Sequence, residues 1–170
     1  MESSQKHITK TAMMAAIIFV CTYTFKIPIA ITGGYTHLGD CAIFLGVMIL
    51  GRKNGAIAAA LGASMADLLG GFMLWVLPTA VIKGIMAYLM GLIIEKILPG
   101  KPWNWLVGEL LGGLIQVICY QSLKALLLGP AAALATIPTI LAQTTAGIMI
   151  GSLLIVFLNT SGVISRLKIK

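Results

Sequence analysis

The sequence predicts an all-α integral membrane protein with six transmembrane helices in a single membrane domain, residues 1–170. Hydrophobic residues make up 59% of the chain and charged residues only 10%, and the mean hydropathy is +1.01. Most of such a surface must face lipid instead of water. Because a helix needs roughly 20 apolar residues to cross the hydrocarbon core, a chain of 170 residues can cross about six times. A transmembrane β-barrel is excluded because its strands alternate apolar and polar residues, whereas the apolar runs here are continuous.

Proline, glycine pairs and short polar segments mark the ends of the helices. Pro28 follows the first helix, residues 52–55 form a polar turn between the second and the third, and Pro138 is a candidate kink in the sixth. The third helix consists largely of Ala and Gly, which favours a central place with close helix contacts. The predicted helices cover residues 8–25, 37–50, 56–69, 78–98, 103–127 and 132–158.

The basic residues predict the topology. With six spans the two termini share one side of the membrane, and nine of the twelve Lys and Arg residues then fall on that side. By the positive-inside rule both the N- and the C-terminus are cytoplasmic. The expected location is the plasma membrane of a bacterial cell. The N-terminal residues contain no cleavable signal pattern, so we expect the first helix to stay in the mature protein.

Several classes of function have no support in the sequence. The net charge of +7 comes from basic residues scattered singly between apolar segments, which does not indicate a nucleic-acid-binding face. Cys21, Cys41 and Cys119 are far apart in apolar segments and form no Cys-x-x-Cys pair, so we expect neither a disulfide nor a metal site. No cofactor is expected.

Polar side chains gather in the outer half of the predicted bundle, whereas the inner half offers only Glu95 and Glu109. A channel or a self-sufficient transporter needs polar groups at both depths. The asymmetry therefore predicts a pocket that opens to the outside. Its candidate substrate-binding residues are Tyr35, His37, Asp40, Asp67, Trp75, Thr79, Lys83, Gln116, Tyr120 and Gln143.

Structural roles remain open for several of these residues. Asp40, Asp67 and Lys83 could form an ion-pair network that only braces helices. His37 could cap the second helix, and Trp75 and Tyr35 could be interfacial belt residues.

Ala12 and Ala16 place two small residues one turn apart on one face of the first helix, a pattern that favours helix association in lipid. Packing within the bundle and docking of a partner both fit this pattern.

Five parts of the chain combine into a pattern: Ala12 with Ala16, Tyr35-Thr36-His37-Leu38-Gly39-Asp40, and the segments 51–56, 62–70 and 78–84. With this pattern the chain resembles the S components of energy-coupling factor (ECF) vitamin transporters, in a branch similar to those for pyridoxine or hydroxymethylpyrimidine. The likeness covers essentially the whole chain in size, spans and topology.

The resemblance implies a subunit that binds a vitamin on the extracellular side and then joins a transmembrane coupling protein (the T component) and two cytoplasmic ATPases. It also implies that Ala12 and Ala16 face the coupling protein. No Walker sequence occurs in the chain, so ATP chemistry must come from a partner and the chain is not expected to be an enzyme. The favoured substrate is pyridoxine or hydroxymethylpyrimidine, followed by riboflavin and pantothenate.

Two other classes remain open. An intramembrane enzyme could be assembled from Ser64, Asp67 and His37, although nothing at motif spacing supports it. A membrane scaffold would share the helices and bind no small solute.

Overall fold

The computed structural model describes residues 2–29 and 34–167, with the side chains of residues 5–27 and 36–167. Most of this chain is helical. The helices are α1 (Glu2–Thr24), α2 (Asp40–Leu69), α3 (Met73–Leu92), α4 (Asn104–Leu128), α5 (Pro130–Ala135), α6 (Ile137–Thr160) and α7 (Val163–Leu167), and α3 continues into a π-helical turn, Ile93–Ile97.

Helix α2 is a helical hairpin with its break at Gly51. Gly51 has φ 76° and ψ 179°, a conformation that glycine adopts at little cost. A β-carbon on Gly55 would lie 3.0 Å from the α-carbon of Val47, whereas residues eight apart in a continuous helix are about 12 Å apart. The chain therefore turns back at Gly51. The two arms, residues 40–50 and 52–69, correspond to the second and third predicted helices, and the predicted polar turn at 52–55 is already helical.

The other predicted boundaries need correction. Helix α1 begins at Glu2 instead of residue 8, α2 at Asp40 instead of residue 37, and α3 at Met73 instead of Pro78. Pro78 lies inside α3, in its second turn, where its missing N–H removes the helical hydrogen bond that would run to Leu74. The predicted helix 132–158 is divided at Thr136 into α5 and α6, and Pro138 begins α6 instead of kinking it.

A short antiparallel β-hairpin, absent from the all-α prediction, follows α1. Strand β1 (Lys26–Ile29) pairs with β2 (Gly34–His37), so that Lys26 lies opposite His37 and Ile29 opposite Gly34. The end of the bundle that carries this hairpin is called the hairpin end below, and the end at Gly51 is called the Gly51 end.

Small residues bring the helices close together in the core. Ala58, Ala59 and Ala63 on the second arm of α2 are fully buried, and a β-carbon on Gly62 would overlap the carbonyl oxygen of Ala15. The central position predicted for this Ala- and Gly-rich segment is thus confirmed.

The outer surface is apolar, as lipid contact requires. Leu126 is 81% exposed and Leu77 is 73% exposed. Four described helices are long and apolar enough to cross a membrane: Asp40–Leu69, Met73–Ile97, Asn104–Leu128 and Ile137–Thr160. The count of six spans and the cytoplasmic side of the termini stay predictions.

Candidate ligand-binding site

A buried ion pair forms the centre of a polar network at the hairpin end. Lys83 of α3 and Asp40 of α2 are both 0% exposed, and the Lys83 ammonium contacts the Asp40 carboxylate. Lys83 also donates to the side-chain oxygen of Gln116 on α4. Buried charges are tolerated when they are paired and further hydrogen bonds complete their coordination. The pair as a whole is electrically neutral.

Gln116 connects α4 to both neighbouring helices. Its Nε2 donates to Asp40 Oδ2 at 2.8 Å and to Thr144 Oγ1 of α6 at 2.8 Å. Its amide thus uses its oxygen on the lysine and both N–H groups on other helices, and it is itself 0% exposed. One side chain therefore fixes the spacing of α2, α3, α4 and α6.

Gln143 of α6 joins the network to the β-hairpin. Its Nε2 donates to Asp40 Oδ2 at 3.1 Å. Its Oε1 accepts from Thr36 Oγ1 at 2.8 Å and from the backbone N–H of His37 at 3.3 Å. Gln143 therefore connects strand β2 to the same carboxylate that pairs with Lys83.

Gly147 lets Asp40 approach α6. A β-carbon on Gly147 would lie 2.7 Å from the β-carbon of Asp40, closer than two carbon atoms can approach without a shift. The absence of a side chain at Gly147 therefore makes room for the Asp40 side chain against α6.

His37 is an uncharged acceptor beside the network. Its side chain is 8% exposed, and its Nδ1 accepts from the backbone N–H of Gly39 at 3.0 Å. Burial, with a smaller contribution from the positive charge of Lys83, lowers the pKa of His37 from 6.5 to about 4. The imidazole is therefore neutral at physiological pH.

An aromatic cluster adjoins the ion pair. The Tyr120 hydroxyl donates to Thr79 Oγ1 at 3.0 Å, and the Trp75 and Tyr120 rings are 6.4 Å apart with an interplanar angle of 50°. The Lys83 ammonium lies 5.7 Å from the centre of the Tyr120 ring. Trp75, predicted in a loop, lies on α3.

The structure thus brings together eight of the ten predicted site residues: His37, Asp40, Trp75, Thr79, Lys83, Gln116, Tyr120 and Gln143. Asp67 is buried near the end of the second α2 arm, within electrostatic reach of the Tyr120 hydroxyl. Tyr35 lies on β2, and its side chain is outside the described ones.

Sequence reasoning missed Thr36 and Thr144. Both are hydroxyl residues that bond to the amides of Gln143 and Gln116. A threonine within an otherwise apolar helix is a weak signal, because its hydroxyl can bond to the backbone of its own helix. The sequence does hold one signal for them: Thr36 adjoins His37 and Thr144 adjoins Gln143, and both neighbours are predicted site residues.

A cavity of about 550 Å³ lies between the β-hairpin and α6. Apolar side chains and a few polar groups line it, as is typical of small-molecule sites. Thr36, His37 and Gln143 line this cavity, whereas Trp75 and Tyr120 pack with Ile82 and Ile140 instead. Polar groups of the network therefore border an open space at the hairpin end.

Ala12 and Ala16 face away from the bundle. Both are exposed on α1, whereas Met14 and Ile18 point into the core. Ala12 lines a groove of about 600 Å³ between α1 and the second arm of α2. Packing inside the bundle, one of the two interpretations of this pattern, is therefore wrong.

Two further predictions concern chemistry. Within the described ranges, no three His, Cys, Asp or Glu side chains are grouped as metal ligands would be. The Ser64 hydroxyl donates to the carbonyl oxygen of Leu61 on its own helix at 3.2 Å, which gives no support to a serine nucleophile activated by His37.

These features define a helical membrane protein with a buried, neutral polar site at one end and no soluble domain in the described chain. Residues 2–160 match the family model of the ECF-type riboflavin transporter S component. The chain belongs to this family of S components, and the family resemblance found in the sequence is confirmed.

Two relatives extend the comparison. The chain is 27% identical over 165 residues to the thiamine precursor transporter HmpT of Lactococcus lactis subsp. cremoris (strain MG1363), which covers 96% of this chain and 93% of the relative. It is 33% identical over 134 residues to an uncharacterized protein in a gap 3' region of Pyrococcus woesei, which covers 79% of this chain and 88% of the relative.

Proposed function

We propose that this chain captures a small heteroaromatic vitamin at the hairpin end, either a vitamin B6 form such as pyridoxine or the thiamine precursor hydroxymethylpyrimidine. The observation that carries the proposal is the buried network of Asp40, Lys83, Gln116 and Gln143, tied to the β-hairpin and bordered by an aromatic cluster. Similarity over nearly the full length to a thiamine precursor transporter supports the choice of ligand class.

The electrostatics of the network favour a ligand without net charge. Asp40 and Lys83 cancel each other, and His37 is neutral because its pKa is lowered to about 4. A charged ligand would bring an uncompensated charge into a site that already has its counter-ions. Pantothenate, which carries a carboxylate, fits less well for this reason.

The hydrogen-bonding groups suit a hydroxylated nitrogen heterocycle. In this proposal, amide, hydroxyl and imidazole groups exchange hydrogen bonds within the network for bonds to ring atoms or to a hydroxymethyl group of the ligand. In this proposal a flat ligand stacks on Trp75 and Tyr120, which pack with Ile82 and Ile140 in the ligand-free chain. The residues that we assign to ligand binding are Tyr35, His37, Asp40, Asp67, Trp75, Thr79, Lys83, Gln116, Tyr120 and Gln143.

Import requires partners in this proposal. The bound chain joins a transmembrane coupling protein and two cytoplasmic ATPases, which supply the energy, and the exposed Ala12 and Ala16 face the coupling protein. The hairpin end lies outside the cell and both termini lie in the cytoplasm. The chain itself carries out no chemistry.

Riboflavin is the second candidate, because the matching family model is named for it. A tricyclic flavin needs a longer binding pocket than a ligand with a single six-membered ring. The cavity of about 550 Å³ beside the hairpin lies within the range of drug-sized ligand pockets, so size alone does not separate the two candidates.

Mass spectrometry of the purified chain tests the proposal. A co-purified pyridoxine or hydroxymethylpyrimidine is expected, and calorimetry on ligand-free protein should then show saturable binding that Lys83→Met abolishes. Tyr120→Phe, which keeps the ring and removes the hydroxyl, should weaken binding less. Recovery of riboflavin would support the second candidate, and binding of no vitamin at all would refute both.

A further inference from the structure

A carboxyl group lies buried in the half of the bundle away from the candidate ligand site. Glu109 of α4 is 0% exposed. Ser152 Oγ of α6 donates to Glu109 Oε2 at 2.7 Å. A β-carbon on Gly151 would lie 2.9 Å from Glu109 Oε1 and 3.1 Å from Cδ2 of Phe44 on α2. Three helices therefore enclose this carboxyl, and the absence of a side chain at Gly151 gives it room.

The enclosure contains no counter-charge. Among the described residues, Glu109 Oε1 has no hydrogen-bond partner. Neither the ion pair of Lys83 with Asp40 nor that of Arg52 with Glu95 involves Glu109. Phe44 faces it from α2, and Gly151 and Ser152 face it from α6. None of these groups titrates.

An ionised carboxylate in this place would be a buried charge compensated by one hydroxyl group. Such a charge is far more costly in a lipid-embedded bundle than the neutral acid, which still keeps its hydrogen bond to a serine. We propose that Glu109 is a proton-binding site: its carboxyl holds a proton at physiological pH and forms a neutral contact between α4 and α6.

The same helix pair carries the candidate ligand site. Glu109 and Gln116 are seven residues apart on α4, which places them on one face about 10.5 Å apart. On α6, Ser152 and Thr144 are about two turns apart. They follow in the opposite chain direction, because Ser152 pairs with Glu109 and Thr144 pairs with Gln116. The Glu109–Ser152 contact thus lies two turns from the Gln116–Thr144 contact.

Tight packing joins the two contacts. A β-carbon on Gly113 of α4 would lie 2.7 Å from Cγ2 of Thr144 and 3.2 Å from Cδ1 of Ile148. Loss of the proton would place an unpaired charge in this interface and separate α4 from α6, which would shift Gln116 away from Asp40. Proton binding at Glu109 and ligand binding at the hairpin end are therefore linked, and each favours the other. This linkage rests on the proposed function, whereas the protonation of Glu109 does not.

Infrared spectroscopy of the purified protein tests the protonation directly. At pH ~7, well above the ordinary glutamate pKa of ~4.3, the wild type should show the C=O stretching band of a protonated carboxyl, which shifts in D₂O. Glu109→Gln should lack this band. Ser152→Ala, which removes the hydroxyl donor, should move the band without removing it. A wild-type spectrum whose carboxyl bands are unchanged by Glu109→Gln would overturn the assignment.

Calorimetry with pyridoxine and hydroxymethylpyrimidine as probes tests the linkage. Raising the pH until the infrared band disappears should weaken probe binding to the wild type by about tenfold, a typical size for coupled sites. Glu109→Gln, which is permanently neutral, should keep its affinity across the same range. An equal pH dependence in both proteins would refute the linkage. If neither probe binds either protein, the proposed function fails, and the infrared result still decides the protonation.

Discussion

The buried ion pair of Lys83 with Asp40 predicts how the free energy of unfolding changes when one charge or both charges are removed. Replacing Lys83 by Met leaves the Asp40 carboxylate fully buried without its cation, although the amides of Gln116 and Gln143 still donate to it at 2.8 and 3.1 Å. Removal of one partner from a buried pair typically costs about 3–5 kcal/mol. We therefore expect Lys83→Met to lower the free energy of unfolding by this amount.

A double variant distinguishes the effect of the unpaired charge on stability from the effect of lost packing. Asp40→Asn combined with Lys83→Met removes both charges and keeps an amide at residue 40 that can bond to Gln116. Since neutral replacement of a whole buried pair is often tolerated, the double variant should be more stable than Lys83→Met alone and lie within about 2 kcal/mol of the wild type.

Denaturant unfolding in detergent micelles measures both variants, and the chain offers a matched control. Arg52 and Glu95 form an ion pair with side chains 22% and 37% exposed, so that Arg52→Met should cost about 1 kcal/mol or less. The single variant Asp40→Asn is measured in the same way. If the double variant loses as much free energy of unfolding as Lys83→Met and Asp40→Asn lose together, the two charges do not compensate each other and the reasoning is wrong.

Three further predictions concern other parts of the molecule. Gly147→Ala places a carbon 2.7 Å from the β-carbon of Asp40, so it should cost about 1–3 kcal/mol of stability through overpacking and weaken vitamin binding in calorimetry; unchanged values for both would contradict the close contact. His37 resists protonation until pH about 4 although its ordinary pKa is 6.5, so the unfolded state alone takes up the proton between these values and the free energy of unfolding should fall as the pH drops through this window, whereas His37→Asn should lack this component; equal slopes would refute it. Ala12→Trp with Ala16→Trp should prevent co-purification of the coupling protein and leave vitamin affinity unchanged, while Leu126→Trp, at an exposed residue of α4, should affect neither; a double variant that still assembles and transports would show that this face of α1 is not the docking surface.

Much of the helical pattern could be predicted because it depends on local signals. Continuous apolar runs indicated the helices, and the polar segment at 52–55 indicated a reversal near Gly51. The exact turn was harder, because it depends on one glycine with positive φ that the structure places beside Glu95. Likewise the sequence predicts a helix start at Pro78, since proline favours the first turn of a helix, whereas the structure begins α3 at Met73.

The β-hairpin and the connections within the site depend on distant contacts. Strand β2 is held by Gln143, more than a hundred residues further along the chain, so His37 was wrongly assigned to the start of a helix. The depth of polar residues in the predicted bundle does place Asp40, Lys83 and Gln116 together in the outer half. Which of their atoms bond to each other could not be read from depth alone, and the hydroxyl groups of Thr36 and Thr144 went unnoticed.

In the function proposed here, this chain captures its vitamin and cannot drive transport by itself. Binding of radiolabelled pyridoxine and hydroxymethylpyrimidine to vesicles that contain only this chain separates the two abilities. We expect saturable binding of about one ligand per chain. Lys83→Met should abolish this binding, and an imposed ion gradient should not increase it. Accumulation above one ligand per chain in response to a gradient would refute the proposed function, as would the absence of any saturable binding.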